Sequence, residues 1–302
     1  MNTVVVGATG YIGGRLVDSL IAGGVQPRVA GRRLDVLTRR WPQAHAVELD
    51  VLRPETIEPA IRGADVVYYL VHSMAEGEAG FEERDRIAAS SFAIAAKGAG
   101  VGRVVYLGGL GSQADQLSAH LASRHETGRT LSDHGPKVLE FRAGMVIGAG
   151  SASFRMLMDL VKRLPVMVTP RWVETRSQPI AIGDVVSYLE QARRLDLIEQ
   201  HTIVEIGGAE VLSYREMMRR AAAFRGRHPA IITVPVLTPR LSSLWCGLVT
   251  SVPSSIARPL IDGLRNETIV RDDSATRLFP DVHPMGFDDA VAKAIHEGKR
   301  AS

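Results

Sequence analysis

A glycine-rich turn, Gly7-Ala8-Thr9-Gly10-Tyr11-Ile12-Gly13, lies between a short β-branched run and a helical stretch. Glycines at these three positions permit a tight strand-to-helix turn, let backbone approach a pyrophosphate, and let the helix pack closely on the strand. The helix N-terminus then offers N–H groups and a positive dipole end to phosphates. The triplet alone is a weak signal. Its position inside a β-α-β unit selects a dinucleotide-binding fold. The cofactor contacts expected from this turn are Gly7, Thr9, Gly10, Tyr11, Ile12 and Gly13.

The following chain supports that expectation. Apolar runs at 3–6, 28–30, 44–49, 65–70, 103–107 and 137–141 read as strands, with helical stretches at 54–62, 82–99 and 117–132 between them. Continuously apolar strands alternating with helices imply a parallel sheet covered on both faces. The fold class expected is α/β, a doubly wound parallel Rossmann sheet with a smaller C-terminal substrate lobe. Residues 1–150 form the expected NAD(P)-binding domain, and 151–302 a lobe woven back onto its sheet. Phe154, Leu157, Met158 and Val161 fall on one helical face. Ser213 with Glu216 three residues on reads as a helix start.

The ends of the strands carry further candidates. An NAD-specific site would place an acid at the end of the second strand to hold the ribose 2′-hydroxyl. Here the strand ends Ala30-Gly31-Arg32-Arg33. Two guanidiniums suit a 2′-phosphate, so NADP(H) is expected ahead of NAD(H), the alternative being solvated arginines at a helix start. Asp50 and Val51 follow the third strand, where an acid reaches the adenine amine or caps a turn. Val71 and His72 follow the fourth, His72 reading either as a ribose or substrate contact or as a polar loop residue.

Composition excludes other classes. The formal charge is +3 and the basic residues are interspersed with acids, without the block that marks a nucleic-acid footprint. One cysteine, Cys246, rules out an internal disulfide and fits a reducing compartment. The histidines form no ligand motif, so no metal is expected, and there is no Gly-x-Ser-x-Gly elbow for a hydrolase. Met1 runs directly into a strand without a secretory leader, and no apolar run of about 18 residues could span a bilayer. The expected location is cytoplasmic, with a peripheral place on the inner face of a membrane left open. Residues 241–257 are uncharged. They could line an apolar pocket, meet a membrane or protein partner, or pack the lobe onto the sheet.

The chain resembles the atypical or extended short-chain dehydrogenase/reductases, especially the NmrA-like and complex-I-subunit-like NAD(P)-binding proteins. The matching residues are Gly7 to Gly13, Asp50, the run Tyr68-Tyr69-Leu70-Val71-His72, and Arg103-Val104-Val105-Tyr106-Leu107-Gly108-Gly109. Phe141-Arg142-Ala143-Gly144-Met145-Val146-Ile147-Gly148 and Pro179-Ile180-Ala181-Ile182-Gly183-Asp184-Val185 match as well. The resemblance covers the chain to about residue 212. It implies a dinucleotide lying across the strand ends, with Ala143, Gly144, Met145 and Val146 flanking the nicotinamide.

The family's enzymes carry a Tyr-x-x-x-Lys pair on the helix after the fifth strand. Here that helix reads His120-Leu121-Ala122-Ser123-Arg124, and Gly108-Gly109 occupy the place of the family's serine. Arg124 keeps a positive charge for the ribose but cannot shuttle a proton. His120 is either an acid–base group or a half-exposed helix histidine. Two readings follow: an oxidoreductase acting on an apolar carbonyl or quinone-like small molecule, and a non-catalytic NADP(H)-binding sensor or assembly subunit of a membrane complex. The oligomeric state is not legible.

Overall fold

The computed structural model describes residues 1–72, 80–112, 116–197, 199–234 and 252–301. Six strands alternate with helices in the first half: β1 Thr3–Val6, α1 Tyr11–Ala22, β2 Arg28–Gly31, α2 Leu34–Arg40 and β3 His45–Glu48 open it. There follow α3 Ile57–Ile61, β4 Val66–Tyr69, α4 Phe81–Gly98, β5 Arg103–Gly109, α5 Ala119–His134 and β6 Lys137–Ala143. The sheet is seven-stranded and parallel, but its seventh strand comes from beyond residue 150. The sequence 201–206 pairs with β6 residue for residue, from His201 on Val138 to Ile206 on Ala143. The remaining order runs β6-β5-β4-β1-β2-β3, so the chain reverses direction across the sheet between β1 and β4. Ligands of open α/β sheets bind beyond the strand C-termini at such a reversal.

Alternation along the strands divides the core. Val5 and Tyr68 face one side, which α1 covers, while Val4, Val6 and Tyr69 face the other, covered by α3 and α4. All of these side chains are essentially without solvent contact, as a sheet sandwiched between helix layers requires. Tyr69 packs on Phe92 and Tyr106, ring centroids 4.7 and 6.2 Å away.

The C-terminal half adds β7 Val146–Ile147, α6 Ala152–Arg163, β8 Val166–Thr169, β9 Arg176–Ser177, β10 Ile180–Ala181 and α7 Ile182–Gln191. After β11 His201–Ile206 come β12 Leu212–Ser213, α8 Tyr214–Ala223, β13 Ala230–Thr233, α9 Ser254–Gly263, α10 Ser274–Leu278 and α11 Phe287–Ala301. The apolar face of α6 joins α8, α9 and α11 in a separate core that contains Phe154, Leu157, Met217, Ile261 and Val291. Ser213 caps α8, its hydroxyl accepting from the Glu216 amide at 3.2 Å. Of the uncharged stretch, 241–251 lies outside the described residues. Val252 and Ala257 at its end are buried in this second core.

One charged group sits where the sheet is fully closed. Glu140 on β6 has no solvent exposure, and its carboxylate accepts from Arg142 Nε at 2.6 Å and meets His201 Nε2 at 2.7 Å. Burial alone would raise its pKa, but the bonds from His201 and Arg142 hold it below the usual carboxylate value. Gly128 of α5 lies directly over this carboxylate, and any Cβ there would collide with it. Glu140→Ala strands the Arg142 guanidinium in the core and should cost about 3–5 kcal/mol. Thermal denaturation should register this as a drop of roughly 5–8 °C. In the wild-type protein the contribution is present above the ordinary carboxylate pKa and is lost as pH falls through the lower folded value.

Candidate active site

The turn between β1 and α1 shows why its glycines are there. Gly7 has φ +84°, and a Cβ on it would stand 2.6 Å from the Leu70 carbonyl oxygen at the end of β4. A Cβ on Gly13 would run into the Gly7 carbonyl, so α1 lies on the turn itself. Gly10 caps α1 without any side-chain cap. Backbone therefore surrounds the helix N-terminus, a cradle whose size and polarity fit a pyrophosphate.

A cavity of about 470 Å³ opens at these strand ends. Of the residues expected from the sequence, Gly10, Tyr11, Ile12, Gly13, His72, His120, Arg124, Ala143, Gly144, Met145 and Val146 all line it. Seven do not. Gly7 lies under the turn, Thr9 is exposed on it, and Val71 is half-buried beside it. Arg32 and Arg33 are exposed between β2 and α2. Val51 is buried, and Asp50 caps a turn, its Oδ1 accepting from the Leu52 amide at 3.0 Å. The far wall is apolar and comes from the second core: Met156, Leu157 and Leu160 of α6, Met218 of α8, and Leu260 and Leu264 at the end of α9.

The polar groups gather at one pole. Ser118 caps α5 by accepting from the Leu121 amide at 3.4 Å, and His120 and Arg124 follow four residues apart on one helix face. Gly109 makes this approach possible, since a Cβ there would stand 2.6 Å from Leu121 Cδ2. A serine in that position would require the Leu121 side chain to move. The Arg124 guanidinium donates to the Leu107 carbonyl at the end of β5 and stacks over the Tyr106 ring at 5.1 Å. It is thus held by the strand end as well as facing the cavity.

His72 and His120 pack together, ring centroids 5.1 Å apart. His72 Nδ1 meets Asp85 Oδ2 of α4 at 2.8 Å, and Asp85 is 6 % exposed. His72 Nε2 and His120 Nδ1 are buried without a hydrogen-bond partner. Burial, then the neighbouring His72 and Arg124, push the His120 pKa down to about 3. Burial lowers His72 too, while the Asp85 hydrogen bond and charge oppose that shift.

Sequence reasoning missed Asp85. Its partner is 13 residues away, and no helical spacing joins them. The apolar wall was half-legible, because the periodicity of 154–161 marks a buried face without saying that part of it borders a cavity. Trp172 and Tyr214 also line the chamber, meeting edge to face at 6.1 Å, and nothing in their local sequence announces it. Among the described residues no His, Cys, Asp or Glu cluster could hold a metal ion.

Comparison with known proteins agrees with this geometry. Residues 7–135 match the family model described as NAD(P)H-binding. The chain is 29 % identical over 261 residues to a ceramide reductase of Caulobacter vibrioides, covering 83 % of this chain and 80 % of that protein. A nucleoside-diphosphate-sugar epimerase structure from Staphylococcus aureus superposes with a TM-score of 0.75 at 16 % identity, over 96 % of this chain and 99 % of that one. The triphenylmethane reductase of Citrobacter sp., complexed with NADP(H), gives 0.74 at 15 % identity, over 97 % and 100 %. Residues 7–135 thus carry the match to an NAD(P)H-binding family, and the Rossmann sheet and glycine turn agree with the resemblance to the atypical short-chain dehydrogenase/reductases.

Proposed function

We propose that this protein is an NADP(H)-preferring reductase that converts the carbonyl of an apolar, lipid-like substrate to an alcohol. The observation that carries the reading is one chamber with two unlike ends. The glycine cradle and the histidine pair border one end, and an apolar wall of methionine and leucine forms the other. The likeness to a ceramide reductase supports a substrate of the ceramide class, a long-chain lipid with a polar centre that fits such a chamber.

When bound, the nicotinamide supplies the hydride to the carbonyl carbon. Residues 10–13 would hold the pyrophosphate, 143–146 would flank the ring, and Arg124 would contribute positive charge beside the ribose. Arg32 and Arg33 would receive the 2′-phosphate, and Asp50 and Val51 would border the adenine. The carbonyl oxygen then needs one proton. With Nδ1 of His120 turned inward, its Nε2 is the nitrogen left to face the chamber.

The acid form of the cluster holds one extra proton, on His72 between the Asp85 carboxylate and His120. His120 Nε2 gives its proton to the developing alkoxide, and His72 Nε2 resupplies His120 Nδ1 once the two rings, 5.1 Å apart between centroids, turn into hydrogen-bonding contact. Asp85 stays ionised, both histidines end neutral, and the product is the alcohol. His120 is the catalytic acid, and Asp85 acts through His72 as a positioning residue. Among the described residues, Asp85 and Arg124 are the charged groups acting on the pair.

A panel of long-chain ketones and keto-lipids should therefore oxidise NADPH in the presence of the enzyme. His120→Gln should lower kcat by about 100-fold with little change in NADPH affinity. Tight NADPH binding without turnover of any acceptor would instead mean a sensor or an assembly subunit.

The rate has a direction in pH. Reduction uses the protonated pair, so kcat should climb as pH is lowered from about 8 towards 5, with an inflection below the ordinary histidine value of about 6.5. Asp85→Asn removes the group that opposes the downward shift, and should move the inflection lower still. A profile that Asp85→Asn leaves in place would rule out the relay.

Cofactor choice is tested separately. Arg32→Ala with Arg33→Ala should weaken NADPH by about tenfold or more in calorimetric titration while leaving NADH nearly unchanged. Equal loss for both nucleotides would make these arginines ordinary surface residues.

A further inference from the structure

The lobe that walls the chamber has an unusual outer face. β8 and β13 pair in parallel, Val166 beside Ala230 and Val168 beside Ile232. Along β8 the inward residue Met167 is buried at 1 %, whereas Val166 and Val168 are about half-exposed, at 50 % and 46 %. Ile232 on the neighbouring strand is 52 % exposed. The register puts these side chains on one side of the ribbon, and no described element covers it. Phe224, exposed at the end of α8, precedes the second strand.

Charge is distributed as unevenly as polarity. From Leu160 to Val173 there is no carboxylate, and from Met217 to Ile261 there is none either. Because the strands run in parallel, the segments entering them arrive at the same end of the ribbon. That end carries Lys162 from α6 and Arg225, Arg227 and His228 from the α8–β13 connection, all exposed. An apolar strip with a basic margin, free of acids over both contributing segments, complements a surface that is anionic outside and apolar beneath. A protein partner would supply carboxylates to the arginines but gives no reason for both segments to exclude acids of their own.

We propose that the β8–β13 ribbon docks the protein on an anionic lipid bilayer. Val166, Val168 and Ile232 enter the boundary between headgroups and acyl chains, and Lys162, Arg225 and Arg227 meet the phosphates. The same helices that lead into the ribbon, α6 and α8, supply Met156, Leu157, Leu160 and Met218 to the chamber. Docking on this face brings the roof of the chamber to the membrane. Among the described residues no helix is long and apolar enough to cross a bilayer, so the contact is peripheral.

The test is sedimentation of the full chain with vesicles of phosphatidylcholine alone or mixed with phosphatidylglycerol. The protein should sediment with the mixed vesicles and be released as salt is raised. Combining Lys162→Glu, Arg225→Glu and Arg227→Glu should reduce partitioning by about tenfold or more. Val168→Ser with Ile232→Ser should also release it, while NADPH affinity, far from the ribbon, stays unchanged and reports intact folding. No sedimentation, or equal sedimentation with both lipids, would overturn the proposal. So would a dimer in analytical ultracentrifugation that dissociates on Val168→Ser, because a second copy would then cover the face. None of these readouts needs turnover, so the docking face and the reductase reading fail separately.

Discussion

Everything at the active pole depends on how closely α1 lies on the turn that precedes it. The helix start is pressed against the Gly7 carbonyl, and Gly7 itself is pressed against the end of β4. These contacts fix the direction in which the first-turn amides point and the width of the crevice between β1 and β4. The reversal of strand order falls at the same place. A dinucleotide site therefore follows from packing, before any side chain recognises a ligand. A side chain at Gly7 or Gly13 would separate the layers that make the crevice.

The same economy of space explains the altered catalytic set. Gly109 admits Leu121 and Gly128 admits the Glu140 carboxylate, so α5 rides low on β5 and β6 at two points along its length. The resemblance places a serine in the Gly108-Gly109 region, where this packing leaves little room for one. Arg124, on the same helix, reaches back to the Leu107 carbonyl. A lysine's point charge would be free to follow a ribose, whereas a planar fork tied to a strand end offers a fixed cation. In the proposed reaction, proton transfer accordingly moves to the neighbouring histidines.

The sheet was legible because its signals are local. Runs of three to six residues, glycine stops and a strand–turn–helix glycine pattern each constrain their own segment, and six strands of the first half appear where the sequence puts them. The Ser213 cap was legible for the same reason. The Asp85–His72 pair was not, because it joins a residue after a strand to a helix 13 residues further on. Glu140 was hidden too: a lone glutamate in an apolar run does not declare the Arg142 and His201 that neutralise it. Long-range polar pairing in a core leaves no periodic trace, and it is here that the chemistry of the site resides.

The apolar chamber creates a problem that Asp85 answers. Removing water strengthens every electrostatic interaction at the site, but it also penalises any charged acid. His120 is itself neutral over the whole physiological range, its pKa pushed down to about 3. A buried carboxylate 2.8 Å from His72 offsets part of that penalty by giving the extra proton a counter-charge one ring away from the substrate. In the proposed reaction the charge thus sits behind the reacting surface, and a neutral imidazole meets the substrate. Burial that suits an apolar substrate and a proton supply that tolerates burial are consequently two parts of one arrangement.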